Sequence, residues 1–260
     1  MQNGLFSGLV NSLNDPYSEY YTKEDFEKVT QDNSGIYYGI GAYVSYNSSY
    51  AMPQISGVIA DTPAEVAGLR ENDIIAAVGE VSTYQMSTEE AVTYIRGEEG
   101  TTVELTIYRE GEPDYLYFTV ERKRVESPTV NSEMKGDIGY IQITEFGEVT
   151  VNQFSEAYEA LESQGMKGLV LDLRSNPGGL LTSVVDIARQ ILPEGLIVYT
   201  EDKYGQREEF TCDGKNQIDI PLAVLINGNS ASASEILAGA IQDYGIGTIV
   251  GTTTYGKGVV

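Results

Sequence analysis

Three changes in the spacing of apolar residues divide the chain. In "GLFSGLVNSL", Leu5, Phe6, Leu9, Val10 and Leu13 recur at three- and four-residue steps, which predicts an amphipathic helix with a face to cover. "NDPYSEYYTKEDFEKV" then predicts a turn around Pro16 and a second helix from near Thr22, whose hydroxyl can cap it. From Gly35 to Arg124 the pattern becomes short β-type runs punctuated by Gly, Asn and Pro: "IYYGIGAYVSY", "PQISGVIA", "DIIAAV", "TTVELTIYRE" and "YLYFTVER". Two helical stretches interrupt them. "DTPAEVAGL" has Pro63 near its first turn, and "STEEAVTYIRG" offers Ser87 as cap, Glu90 three residues on and Gly97 as stop. These runs predict a small β-barrel or sandwich with two helices.

After "VESPTV" strands alternate with helices: "GYIQIT", "VNQFSEAYEALESQG", "GLVLDLR", "LLTSVVDIARQIL", "GLIVYTE", "LAVLIN", "SEILAGAIQDYG" and "GTIVGT". The runs "GLVLDL", apolar but for Asp172, and "LAVLI" suit strands buried on both faces, so a largely parallel sheet covered by helices is expected. Ligands on such sheets sit where a strand hands over to a helix. The expected organisation is a helical segment at 1–34, a β-rich domain at 35–124 and an α/β domain at 125–260.

Composition narrows the function. The balance of 16 Lys and Arg against 39 Asp and Glu gives a net charge of -23, which repels phosphate backbones and argues against a nucleic-acid partner. No apolar run approaches the roughly 20 residues that cross a bilayer. The single Cys212 excludes an internal disulfide and reads as a structural thiol. The chain has no histidine, which removes the commonest zinc ligand and the commonest general base, and no metal or cofactor is expected.

Candidate chemistry gathers in three segments. "PLAVLINGNSASASEILAGAIQ" is strand, tight turn, helix, and places Ser230, Ser232 and Ser234 at the mouth of a helix, where free N–H groups and the helix dipole favour an anionic oxygen. The plain alternative is a capping box formed by Ser232 and Glu235. Without histidine a serine needs another base, and a lysine can serve if burial lowers its pKa from about 10.4 toward neutrality. Lys257, between Gly256 and Gly258 in "TTTYGKGV", is the candidate; its alternative is an ordinary turn lysine. "LVLDLRSNPGG" ends a strand in two glycines, which either aim a backbone N–H into a cleft or make a simple turn.

Taken together, "LRSNPGG", "NSASASEI" and "YGKG", in that order and with 25 positions from Ser232 to Lys257, resemble the C-terminal processing peptidases, a Ser/Lys peptidase family. "DPYSEYYT" and the β-rich region resemble that family's segment before its PDZ domain and the PDZ domain itself. The resemblance implies a crotonase/ClpP-like sheet-and-helix core, with Ser232 as nucleophile, Lys257 as general base, and the N–H groups of Gly178 and Ala233 as oxyanion hole. Ser230 and Ser234 become structural, and Asn176 and Pro177 shape the turn. In the PDZ-like region the N–H groups around Gly39, Ile40 and Gly41 would hold a terminal carboxylate, and a peptide would add as a strand beside Ala42 to Val44. Ala91, Val92 and Ile95 would flank a pocket for its last side chain or, alternatively, pack in the core.

The implied partners are protein or peptide C-termini, with the apolar N-terminal helix suited to a homodimer. The implied location is extracytoplasmic, anchored in the full-length protein. The family's usual Gln, four residues beyond the lysine, would fall just past Val260, so the chain reads as a fragment with an incomplete core. Two other readings stay open: a PDZ module on a degenerate scaffold that captures termini without cutting, and a non-peptidase relative with a crotonase-type core.

Overall fold

The computed structural model describes residues 2–15 and 17–259. The turn expected at Pro16 lies outside the described residues, as does Val260. The chain divides into two compact units, one spanning Ile36–Ser127 and the other combining Met1–Gly35 with Pro128–Val260.

The chain begins with α1 (Gln2–Asn11) and α2 (Lys23–Ser34). α1 buries none of its residues, and Leu5, Leu9 and Leu13 are exposed. Thr22 caps α2 by accepting from the Asp25 N–H at 3.1 Å.

The Ile36–Ser127 unit contains β1 (Ile36–Gly39), β2 (Ala42–Asn47), β3 (Met52–Val58), α3 (Pro63–Ala67), β4 (Ile74–Val78), β5 (Val81–Ser82), α4 (Thr88–Ile95), β6 (Thr102–Tyr108), β7 (Leu116–Glu121) and β8 (Lys123–Glu126). Its main sheet has the order β2-β3-β4-β6-β7, with β5 paired to β4, while β1 and β8 form a separate antiparallel ribbon. The run "IYYGIGAYVSY" therefore breaks at Ile40 and Gly41 into two strands in different sheets. Alternation in β6 points Val103, Leu105 and Ile107 into a core shared with Ile55, Ile75, Ile95 and Val120. Ser87 caps α4 by accepting from the Glu90 N–H at 3.1 Å. Inside this unit Arg109 pairs with the buried Asp73 at 2.6 Å.

The second unit adds β9 (Val130–Lys135), β10 (Ile138–Ile143), α5 (Thr150–Ser163), β11 (Gly168–Asp172), α6 (Leu181–Ala188), β12 (Gly195–Glu201), β13 (Arg207–Cys212), β14 (Leu222–Ile226), α7 (Ala233–Tyr244) and β15 (Thr248–Gly251). The sheet order is β15-β14-β11-β10-β9, parallel except where β9 runs against β10. Leu169 and Leu171 of β11 and Val224 of β14 are buried with Phe154 and Leu161 of α5, Ile187 of α6, and Leu237 and Ile241 of α7. β12 and β13 stand apart as an antiparallel ribbon, so "GLIVYTE" is not part of the parallel sheet. Cys212, at the end of β13, is buried and free, and its thiol lies 3.3 Å from the Leu192 carbonyl.

The central parallel strands bring the loops leaving β11 and β14 together. Ser175 and Asn227, one from each loop, are joined by hydrogen bonds of 2.9 and 3.1 Å.

Candidate active site

The three alternating serines have different fates. Ser230 donates to the Leu173 carbonyl at 2.7 Å and Ser234 to the Asn176 carbonyl at 3.0 Å, and both are wholly buried. Their hydroxyls fasten the β14 loop and the first turn of α7 to the β11 end and its loop. Ser232 alone of the three is only half-buried. It stands at the N-cap of α7 with φ 55° and ψ -114°, a left-handed conformation that an L-residue holds only under strain of about 1–3 kcal/mol.

The glycine turn after β11 lies against this serine. A Cβ on Gly178 would sit 2.8 Å from both the Ala231 carbonyl and Ser232 Cβ, so only glycine allows the approach. The turn is braced from inside by Asn176, wholly buried, whose amide donates to the Ile143 carbonyl at 2.9 Å. Asn176 Oδ1 accepts the N–H of Gly178 at 2.8 Å, so that N–H is already engaged. The Ala233 N–H, at the first position of α7, meets no acceptor among the described residues.

At the base of the same turn Asp172 is wholly buried at the end of β11. Arg174 reaches it at 2.6 Å and the Tyr140 hydroxyl at 2.6 Å. Burial opposes its ionisation, but the hydrogen bonds from Arg174 and Tyr140 outweigh it and hold the carboxyl below its ordinary value.

Lys257 reaches Ser232 through a third residue. Glu235, on the first turn of α7, accepts the N–H of Ser232 at 2.8 Å and the N–H of Lys257 at 2.9 Å on one oxygen, Oε2. Its Oε1 accepts the N–H of Gly256 at 2.6 Å. Burial disfavours the charged carboxylate, yet the Thr254 hydroxyl and these three N–H groups prevail and keep its pKa below the usual glutamate value. Two residues 25 positions apart are thus clamped to the same carboxylate oxygen. The Lys257 amine rests 5.5 Å from the centre of the Tyr17 ring, and no hydrogen bond joins it to the Ser232 hydroxyl among the described residues. Sequence reasoning had Glu235 only as a helix-capping partner; its position three residues after the central serine was the available signal.

The other unit contains a separate cleft of about 250 Å³, lined by Gly39, Ile40, Gly41, Ala42 and Val44 on one side and by Val92, Ile95 and Arg96 of the α4 end on the other. Ala91, expected either beside Val92 at the pocket or in the core, is wholly buried on the inner side of α4 and does not line the cleft. The loop carbonyls turn inward: Ile40 O accepts from the Ala64 N–H at 2.7 Å and Gly41 O from the Ile59 N–H at 2.9 Å. Because a trans peptide sets N–H opposite C=O, the N–H groups of Gly41 and Ala42 are directed the other way. Gly41 has φ 84°, and a side chain there would overlap Thr62, so the loop requires glycine. β2, next to it, is an edge strand of the main sheet with one side unpaired.

No group of His, Cys, Asp or Glu among the described residues is arranged to hold a metal ion, and no described helix is long and apolar enough to cross a membrane.

Comparison with known proteins follows the same division. Residues 137–260 match the model of peptidase family S41, and residues 54–109 match the PDZ domain. The chain is 37% identical over 257 residues to the carboxyl-terminal-processing protease of a Synechocystis species, covering 97% of this chain and 60% of that protein. It is 37% identical over 259 residues to the carboxy-terminal processing protease CtpA of Bacillus subtilis, covering 99% of this chain and 55% of that one. The chain therefore spans little more than half the length of these curated relatives. Among solved structures, the photosystem II D1 C-terminal processing protease is similar with a TM-score of 0.55 and 28% identity, over 99% of this chain and 71% of that one.

Proposed function

From the chain's membership of the S41 peptidases over residues 137–260, with a PDZ domain in its β-rich unit, we propose that it is a serine endopeptidase that cuts protein substrates near their C-termini. In this reading Ser232 Oγ attacks the substrate carbonyl, and Lys257 Nζ, uncharged, takes the hydroxyl proton and later returns it to the leaving amine. The N–H groups of Ala233 and Gly178 receive the developing oxyanion, each donor worth about 2.7–4 kcal/mol in the transition state. For Gly178 this requires its N–H to leave Asn176 Oδ1. The observation that carries the proposal is the clamp: Ser232 and Lys257 share one oxygen of Glu235 while the other two serines are spent on carbonyls.

The PDZ unit supplies the substrate end. The outward N–H groups of Gly41 and Ala42, in the loop that begins at Gly39 and Ile40, would take a terminal carboxylate, the free edge of β2 would pair with the extended peptide beside Ala42 to Val44, and Val92 and Ile95 would contact the last side chain. The proposed partners are protein C-termini, with the exposed face of α1 available to a second copy. By the sequence resemblance, the proposed location is extracytoplasmic.

Two observations favour a second reading, capture without cleavage: the Gly178 N–H is occupied and the Lys257 amine rests over Tyr17. A serine-reactive fluorophosphonate separates the two. Labelling of the chain that disappears in Ser232→Ala and in Lys257→Ala is the expected result, whereas labelling that persists in Ser232→Ala removes the proposed nucleophile. Failure to label the unaltered chain, with terminus binding intact, favours capture.

A further inference from the structure

At the end of α4, the mouth of the peptide cleft carries a cation without a partner. Arg109, Arg124, Arg174, Arg189 and Arg207 each pair with a carboxylate inside the protein. The Arg96 guanidinium has no carboxylate and no hydrogen-bond acceptor among the described residues. Instead it lies 4.6 Å from the centre of the Tyr37 ring, in cation–π contact, and lines the cleft together with Gly39, Ile40 and Gly41. A Cβ added at Gly39 would be 3.7 Å from Arg96 Cγ, so this side chain runs directly beside the loop that begins at Gly39.

Two features of the surroundings make a local cation necessary for an anionic ligand. The whole chain has a net charge of -23 and repels any carboxylate that approaches it. The C-terminal end of a helix also carries negative partial charge, and α4 ends at this cleft. Arg122 takes up that charge by donating to the Ile95 carbonyl at 2.7 Å and the Tyr94 carbonyl at 3.0 Å, which leaves Arg96 uncommitted. Glu98 and Glu99 follow close behind in sequence, so without Arg96 the helix terminus would be followed by acid alone.

We propose that Arg96, held by the Tyr37 ring, is the residue with which this cleft selects a free α-carboxylate, pairing with it while the N–H groups of the Ile40 and Gly41 loop hold it from the other side. A planar guanidinium fits a carboxylate through two parallel hydrogen bonds, which a terminal amide cannot accept in the same way. The inference rests on the terminus-binding reading of the Ile36–Ser127 unit and adds the residue that sets its selectivity.

The test uses the full chain and two fluorescent peptides of one sequence with an apolar last residue, one ending in a free carboxylate and the other in an amide, followed by fluorescence anisotropy. The unaltered protein binds the free peptide more tightly. Arg96→Gln weakens the free peptide by about tenfold or more and the amidated one by less than about twofold, collapsing the preference. Arg96→Lys restores part of it. Arg70→Gln, which removes the same charge outside the cleft, leaves the preference in place, separating local pairing from the general field. Thermal melting of Arg96→Gln close to that of the unaltered protein shows that the fold survives. A free-to-amide ratio unchanged in a folded Arg96→Gln overturns the role of Arg96. No preference in the unaltered protein overturns the terminus-binding reading and the inference with it.

Discussion

Removing the Glu235 carboxylate should release the Lys257 segment from the serine turn. The side chain receives three backbone N–H groups, from Gly256 at 2.6 Å, Ser232 at 2.8 Å and Lys257 at 2.9 Å. The Thr254 hydroxyl is a fourth donor. A hydrogen bond to a charged group nets about 1.5–3 kcal/mol, so four would total about 6–12 kcal/mol if they were independent and dry. They are neither: the carboxylate is only half-buried, and Gly256 lies in an exposed stretch where water replaces a lost acceptor. A cost of about 2–4 kcal/mol for Glu235→Ala follows, most of it from the Ser232 and Lys257 donors. Glu235→Gln keeps one acceptor oxygen and sets its amide against the remaining N–H, costing about 1–2 kcal/mol.

The measurement is amide hydrogen exchange at Ser232, Gly256 and Lys257, because the effect is local and a global midpoint would dilute it. Glu235→Ala should accelerate exchange at these amides by about 30- to 1,000-fold while the β10 and β11 amides change little. The pH dependence has a definite sign. The folded pKa lies below its ordinary value, so the clamp is fully present above the unfolded glutamate pKa of about 4.3 and weakens as pH falls through the lower folded value. Exchange at Lys257, corrected for its intrinsic pH dependence, should therefore quicken in acid, and this step should be missing in Glu235→Ala. Unaltered protection in Glu235→Ala at neutral pH would refute the clamp.

Two further outcomes follow from the geometry. Gly41→Ala must hold φ near 84° and overlap Thr62, so it should destabilise its unit by about 2–4 kcal/mol and weaken binding of free-carboxylate peptides, as read by denaturant titration and anisotropy. Asp172→Asn leaves Arg174 without its partner; because Arg174 is half-exposed, the loss should be about 1–3 kcal/mol, less than for a fully buried pair. The folded pKa of Asp172 is depressed, so the difference between Asp172→Asn and the unaltered protein should be full near neutral pH and shrink as acid protonates the carboxylate, which urea midpoints across the pH range would report.

Much of the architecture is visible in the residues because burial and periodicity coincide. β6 alternates cleanly, and β14 is apolar throughout, as is β11 up to its terminal Asp172, because both faces are covered. β9 and β13 escaped notice for the opposite reason. Most of their residues face solvent, so "VNSEMK" and "REEFTC" lack an apolar rhythm, and only pairing with β10 and β12 makes them strands. The break at Ile40 and Gly41 was hidden because β-type residues continue on both sides of it. At the candidate site, the strand-turn-helix setting of Ser232 could be read from its neighbours, but the engagement of the Gly178 N–H by Asn176 depends on side-chain orientation that no spacing encodes. Arg96 was invisible for a similar reason. Its partner ring, Tyr37, comes from a distant strand, and a missing ion pair can be recognised only after the other arginines have been placed.

The open side of β2 also bears on how the protein behaves in solution. A row of unsatisfied backbone groups will accept any extended segment, including the same strand of a neighbouring molecule, and such edges seed assembly unless something opposes it. Here the opposition is the large negative charge, which keeps copies apart at a distance. That protection is ionic and therefore screened, its reach shrinking from about 10 Å in 0.1 M salt to about 3 Å in 1 M. The acidity of the surface is thus coupled to the open edge: if that edge receives a ligand as proposed, the charge lets the strand stay unpaired without making the protein stick to itself.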